Sequence, residues 1–452
     1  MLKEITLHNF KSWQHVDKMR LAPITGLFGS NSSGKTSILQ WLLMLKQTAE
    51  SADRRQVLNL GDERSLVELG TFQDILFGHD TDTRLSWSVS WSPSQNLTVA
   101  DPAKKGGAPL FRGTDIGHRC EVYQEEGGPV RVGRLAYEFG RHQFQYAQAE
   151  EGYDLSYHGR SVFHFKRFPG RPWPLPDPVK CYGFPDQVNT YFQNAGFLGV
   201  FQLAFEQLLG EVHYLGPLRE YPKRQYIWSG GQPTDMGRRG EKVIDALLSS
   251  RLRPEKISRG KGRPKLTLEE YVAQWLRDLG LIHDFNVKPV AKNSNLYQVL
   301  VRKTKDSAPV LVTDVGFGVS QVLPVLTLCY YVPPHSTIIL EQPEIHLHPS
   351  VQAGLADVFI DAVKTRNIQV LVESHSEHLL RRLQRGIAEE KMKAEDTALY
   401  FCDTADGRSE LVPLNMDPVG NISNWPKDFF GDEFGEIAAM AEAAAKRRLG
   451  GQ

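Results

Sequence analysis

Gly29-Ser30-Asn31-Ser32-Ser33-Gly34-Lys35-Thr36 decides the reading of this chain. It follows the apolar run Ile24 to Phe28, which reads as a strand. It precedes Ser37 to Gln47, whose Leu, Ile and Met content reads as a helix. In that setting the GxxxxGK[ST] pattern is a phosphate loop, whereas a chance Gly/Ser loop would need neither flank. Its glycines and small residues let backbone N–H groups curl around an anion, and the helix N-terminus adds a positive dipole. Gly29, Asn31, Ser32, Ser33, Gly34 and Ser37 form this cradle. Lys35 is expected to reach the β- and γ-phosphates of ATP, and Thr36 to offer its hydroxyl to Mg²⁺.

Upstream, Lys3 to Phe10 reads as a strand. From Arg84 to Phe168 the stretches LSWSVSW, RVGRLAYEF, HQFQYAQ, YDLSYH and SVFHFKRF alternate as in an antiparallel sheet. The proline-rich Gly170 to Pro178 is expected to cross the surface, and Val188 to Leu209 to form one helix or a broken pair. Arg251 to Lys265 reads as an exposed, mobile basic loop, and Thr267 to Leu279 as an amphipathic helix. The last third alternates strictly. Strands Val310–Thr313, Thr337–Leu340 and Gln369–Glu373 are interleaved with helices Gly318–Tyr331, Ser350–Lys364 and Glu377–Glu390. Such alternation implies a parallel sheet covered by helices.

The distal half of the site lies in that region. Thr337-Ile338-Ile339-Leu340-Glu341 ends in the acid that P-loop ATPases keep near Mg²⁺. Gln342-Pro343-Glu344 and Ile345 to Pro349 follow it, and Val370 to Ser376 is a second buried strand ending in polar residues. Ligands bind such sheets in the crevice beyond the C-terminal ends of the strands.

The order of phosphate loop, GFGVSQ, LEQPEIHLHP and VESHSEHLL resembles the compact prokaryotic ATPases related to SMC, RecF and OLD-type proteins. LHNFKSW at the start resembles the opening strand of that family. YLGPLRE and NWPKDFF resemble a branch whose C-terminal domain has no assigned function. The resemblance implies an α/β fold, an ABC/SMC-type P-loop ATPase head of mixed and parallel sheet with an inserted antiparallel and helical region. Its expected parts are residues 1–80 (first part of the head), 81–210 (β-rich lobe and helical insertion) and 211–300 (arm with the basic loop). Residues 301–400 carry the signature, acid strand and switch histidine, and 401–452 form a C-terminal segment.

The resemblance also implies a homodimer closed around ATP, in which Gly318, Ser320 and Gln321 reach the partner's γ-phosphate. It makes His375 the sensor of that phosphate, and puts His346 to Pro349 on the dimer-facing loop. A glutamine contacting Mg²⁺ and the attacking water is expected from the antiparallel part. Gln73 in LGTFQDILFGHD is the candidate, against a plain exposed loop residue.

Where most such ATPases carry a catalytic glutamate, this chain has Gln342. An amide orients water but is no general base, so slow or regulated hydrolysis is expected. Three readings stand: Glu344 acts as base from two residues on, Gln342 belongs to a rarely turning switch, or a Glu→Gln change was introduced to trap ATP. A native Gln342 assisted by Glu344 is preferred.

Lys and Arg together number 53, and so do Asp and Glu, so the whole-molecule field does not draw the protein to DNA or membranes. With 41% hydrophobic and 23% charged residues the chain reads as an ordinary soluble folded protein. No apolar stretch approaches a membrane span, and four scattered cysteines suit a reducing cytoplasm. Asp396, Asp403, Asp406 and Asp417 lack the strand context of a nuclease metal cluster. No heptad run provides a coiled-coil arm. The function expected is an ATP-driven sensor that controls a separate effector, a nuclease or toxin, in anti-phage defence. The alternative is a RecF-like repair ATPase that binds DNA through the Arg251–Lys265 run, in a sequence-independent and salt-sensitive way.

Overall fold

Thr337–Glu341 and Gln369–Glu373 are buried at every position because helices and a second sheet cover both faces of the sheet that contains them. The computed structural model describes residues 1–93, 97–99, 111–159, 163–253, 255–258, 260, 262, 264–426, 429, 439–444 and 447. The six-stranded sheet runs Val212–Leu215, Thr337–Glu341, Gln369–Glu373, Ile24–Gly29, Thr397–Ala405, Arg408–Pro413. Neighbours are parallel up to Thr397–Ala405, and the last strand returns antiparallel. The fold is mixed α/β.

A seven-stranded antiparallel sheet has the order Tyr153–His158, His142–Gln148, Val130–Phe139, Ile116–Gln124, Leu85–Trp91, Leu2–Phe10, Trp13–Arg20. Leu85, Trp87, Val89 and Trp91 are buried while the intervening serines are half-buried, as the alternation predicts. The N-terminal hairpin is therefore part of the same sheet as the alternating stretches more than sixty residues downstream.

The six-stranded sheet divides two cores. Leu27, Ile339, Leu371 and Cys402 pack with the antiparallel sheet and the phosphate-loop helix Lys35–Glu50. Ile24, Phe28, Ile338, Leu340, Val370 and Val372 face a second core. Helices Val243–Ser250, Leu268–Asp278, Gly318–Tyr331, Pro349–Arg366 and Glu377–Ala388 fill that core. Helix starts follow local chemistry. Thr267 and Glu270 form a capping box, His348 caps a helix with Pro349 in its first turn, and the Ser376 hydroxyl accepts from Leu379 N–H.

Three expectations fail and one resolves. Val310–Thr313 is no strand of the parallel sheet: only Val310–Leu311 is extended, and it pairs antiparallel with Leu296–Arg302 in a separate sheet. The Val188 to Leu209 region is a broken pair, Asp186–Tyr191 and Leu198–Gly210. SVFHFKRF is no strand in its described part. Phe163 and Phe165 instead pack edge-on with each other and with Phe144, so the alternation serves an aromatic cluster rather than a ladder. The basic run is not simply a free loop. Ile257–Ser258 pairs with Lys265–Leu266, Arg251 is paired with Glu269, and Arg253 stacks over Tyr331. Arg259, Lys261 and Arg263 lie outside the described residues. Among the described residues no helix is long and apolar enough to cross a membrane. The four cysteines are buried and free.

One side chain ties the two sheets. Gln369, 2% exposed, accepts from Leu2 N–H at 3.0 Å and from the Thr337 hydroxyl at 3.0 Å. Its amide donates to Leu2 O at 2.8 Å and Ala22 O at 3.1 Å. Replacing it by a similarly sized apolar residue strands several buried backbone groups, each costing about 1–3 kcal/mol. Gln369→Leu is expected to lose roughly 2–4 kcal/mol in urea unfolding, and an unchanged midpoint would show that the tie contributes nothing.

Candidate functional site

The phosphate loop is shaped first by lack of space. Gly29 has φ +134°, and a Cβ there would come within 2.0 Å of Cys402 O on the neighbouring strand. Gly34 has φ +86°, and its Cβ would lie 2.4 Å from Ser409 Oγ, 2.7 Å from Ser12 Oγ and 2.8 Å from Trp13 Nε1. The fully buried Trp13 donates its indole N–H to Gly34 O at 2.9 Å. Glycine is therefore required at both ends of the loop on steric grounds.

Ser32 adds a left-handed φ of 61°, so successive N–H groups turn toward one side. The Lys35–Glu50 helix has neither a side-chain cap nor an acid in its first turn, which leaves its positive end available to an anion. Asn31 is exposed, Ser33 is buried with its hydroxyl on Ser30 O, and Ser37 is half-buried with its N–H on Gly34 O. Lys35 is folded onto its own loop, donating to Ser30 O at 2.5 Å and Gly29 O at 3.1 Å. Burial holds its ammonium below the usual lysine range, and Glu373 partly offsets this.

Four acidic or amide side chains approach from the two adjacent strands. Thr36 donates its hydroxyl to Glu373 Oε2 at 2.8 Å. Gln369–Glu373 is the strand paired with the phosphate-loop strand, and Thr337–Glu341, whose acid is expected near Mg²⁺, lies one further out. Glu341 instead accepts from the Tyr214 hydroxyl at 3.1 Å, while Arg219 donates to its backbone carbonyl at 3.4 Å. Burial, with the charge of Glu373 adding, pushes the Glu341 carboxyl up to about 7.

Gln342 sits in left-handed backbone, φ 42°, with its N–H on Glu373 O at 2.8 Å. Such a conformation is costly for a residue with a side chain, and it clusters at functional sites. Glu344 is buried. His375 N–H donates to its Oε1 at 2.7 Å, and Oε2 has no protein partner. Burial raises the Glu344 carboxyl. The exposed His375 ring contacts the Gly29 carbonyl. Its basicity falls through desolvation first and the nearby Lys35 charge second, against the Gly29 contact that raises it.

Arg219, within YLGPLRE, is a site residue that the sequence pattern does not mark. It is 7% exposed, and its Nε and Nη1 lack protein partners. Burial pushes it down to about 10, and Tyr214, Glu341 and Glu344 pull the other way. Glu373 was visible only as the acid ending an apolar strand.

Other expected residues lie apart. Gln73 is exposed and donates to His79 O at 3.3 Å, so its side chain is spent on its own turn. Ser320 and Gln321 are buried in the first turn of Gly318–Tyr331, with the Ser320 hydroxyl on Phe317 O at 2.7 Å. No described hydrogen bond joins these three residues to the phosphate loop of the same chain. Phe317, 45% exposed, meets His346 at 6.1 Å and Tyr221 at 5.4 Å between ring centroids.

Among the described residues no cluster of three His, Cys, Asp or Glu could hold a metal by itself. The hydroxyl of Thr36 and the carboxylate of Glu373 offer hard oxygens of the kind that suits Mg²⁺, which takes few protein ligands and completes its shell with phosphate and water. Loop, strand order and acids together form the arrangement of a P-loop nucleotide-binding site in a mixed α/β domain.

Residues 219–381 match the family described as "AAA domain, putative AbiEii toxin, Type IV TA system", and residues 392–440 match "Protein of unknown function (DUF3696)". No curated protein matches the sequence. Similar solved structures include the SMC head bound to the C-winged helix domain of ScpA. The two are 10% identical with a TM-score of 0.45, over 91% of this chain and 98% of that one. The SMC head domain from Thermotoga maritima is 10% identical with a TM-score of 0.42, over 92% and 99%. The Smc head domain with an extended coiled coil, bound to the C-terminal domain of ScpA derived from Pyrococcus furiosus, is 9% identical with a TM-score of 0.45, over 91% and 96%.

The buried acid yields a pH prediction. The folded state keeps the Glu341 proton that the unfolded chain releases near pH 4.5, so stability falls as pH rises from there through about 7. Glu341→Gln is expected to flatten that fall and to be the more stable protein at pH 8, by on the order of 2–3 kcal/mol. A lower urea midpoint than the parent's at pH 8 would contradict it.

Proposed function

We propose that this chain binds Mg²⁺·ATP, hydrolyses it slowly, and pairs with a second copy around the nucleotide to control a separate effector in prokaryotic anti-phage defence. The observation that carries the reading is the phosphate loop itself, with Thr36 hydrogen-bonded to the buried Glu373 and Lys35 within the field of Glu373 and Glu344.

Lys35 would exchange its loop carbonyls for phosphate oxygens, and the uncapped helix N-terminus would share the anion's charge. Mg²⁺, when bound, would neutralise charge developing on the phosphate oxygens. Gln342 is suited to orient a water molecule through its amide. The free Oε2 of Glu344 is suited to take that water's proton, and a raised basicity favours the step. His375 N–H fixes the other oxygen of Glu344 and so links the base to the segment near Gly29. An amide in the usual base position argues for turnover slow enough to act as a timer.

Pairing of two copies is supported by the Gly318–Tyr331 helix. Its N-terminus has no side-chain cap, and Gly316 and Phe317 beside it are exposed, so backbone donors are open to a second copy's γ-phosphate. The defence setting is drawn from the matched description, which names a putative toxin of a toxin–antitoxin system, and the sensor role from the slow turnover expected of Gln342.

Two measurements test this reading. With Glu344→Gln, ATP turnover is expected to fall by about 10²–10⁴ while ATP affinity stays within about twofold. Unchanged turnover removes Glu344 from the mechanism. In light scattering, Mg²⁺ and ATP should double the mass of Glu344→Gln, and adding Ser320→Arg should abolish the doubling. A mass indifferent to ATP rejects the nucleotide-closed pair.

A further inference from the structure

The strand between the phosphate-loop strand and Glu341 contributes more than packing. Glu373 is fixed from both sides. Its register partners are Glu341 on one strand and Leu27 on the other. Its carbonyl accepts from Gln342 N–H at 2.8 Å, and the next residue, Ser374, donates its N–H to Leu27 O at 3.0 Å. The backbone thus has little freedom, and the 3%-exposed side chain is directed onto Thr36.

A hydroxyl has one proton to give and two lone pairs to offer. With its proton committed to Glu373 Oε2, Thr36 Oγ1 keeps its lone pairs for a cation. Glu341 is held elsewhere, by the Tyr214 hydroxyl and by Arg219 at its carbonyl. Glu373 is therefore the carboxylate that sets the rotation of the Thr36 hydroxyl. The same residue, through its carbonyl, holds Gln342 in its left-handed conformation.

We infer that Glu373 is a positioning residue that couples metal binding at Thr36 to the placement of the water-orienting Gln342. The inference rests on the ATP reading above and adds the part that transmits metal occupancy to the hydrolytic side. It makes Mg²⁺-dependent nucleotide affinity, and not metal-free affinity, the property that Glu373 controls. Metal-free binding depends on Lys35 and the loop amides.

The test is the affinity of the full chain for a fluorescent, non-hydrolysable ATP analogue, in EDTA and in millimolar Mg²⁺. Glu373→Gln is expected to bind like the parent in EDTA but to lose about tenfold of the gain that Mg²⁺ gives. Thr36→Val should lose a similar gain. The double variant should lose no more than either alone, because the two groups act as one unit. An Mg²⁺ gain equal to the parent's in Glu373→Gln overturns the inference, and so does a loss equal in both conditions. Losses that add in the double variant also overturn it. A parent that binds no analogue in either condition overturns the ATP reading itself, and the inference with it.

Discussion

The approach of the phosphate loop to the strand Thr397–Ala405 is the constraint on which the site depends. At Gly29 the backbones are so close that a single methyl group would collide with Cys402 O, and at Gly34 it would collide with Ser409, Ser12 and Trp13. Ser12 and Ser409 are themselves joined, hydroxyl to hydroxyl at 2.7 Å and backbone to backbone at 2.8 Å. Segments from opposite ends of the sequence therefore clamp one turn of eight residues. The loop's curvature, and with it the direction of its N–H groups, is set by this clamp more than by its own composition.

Around the clamp the charges are unbalanced in an informative way. Glu341, Glu344 and Glu373 are buried together with two cations, Lys35 and Arg219. Desolvation is the largest influence on all five, raising the acids and depressing the bases. Such a cluster is destabilising by itself, and it is eased by whatever supplies compensating charge in the right place. A magnesium ion carried on a triphosphate brings positive charge to the acids and negative charge to Lys35.

Much of this was legible in the sequence, and the gaps have physical causes. The parallel strands and their helices were readable because full burial on two faces gives continuous apolar runs. The helix Gly318–Tyr331 and strand Gln369–Glu373 fall where the pattern put them. Pairing between Leu2–Phe10 and Leu85–Trp91 was not readable, since register between distant strands leaves no local mark. Phe163 and Phe165 alternate like strand residues yet serve an aromatic cluster. At the site, Glu341 and Glu373 look alike as acids ending apolar strands. Only the strand order reveals which one borders the phosphate loop. Arg219 was hidden for a related reason: nothing in its neighbours tells a buried arginine from an exposed one.

The central claim is that one triphosphate is shared between the phosphate loop of one copy and the Gly318–Tyr331 helix of another. A crystal structure of the chain with Mg²⁺ and a non-hydrolysable ATP analogue tests it most directly. The account predicts β- and γ-phosphates against Lys35 and the loop amides, with Ser320 of a second copy within hydrogen-bonding distance of the γ-phosphate. Phosphates bound away from Lys35, or Ser320 remote from every phosphate in the crystal, would contradict it.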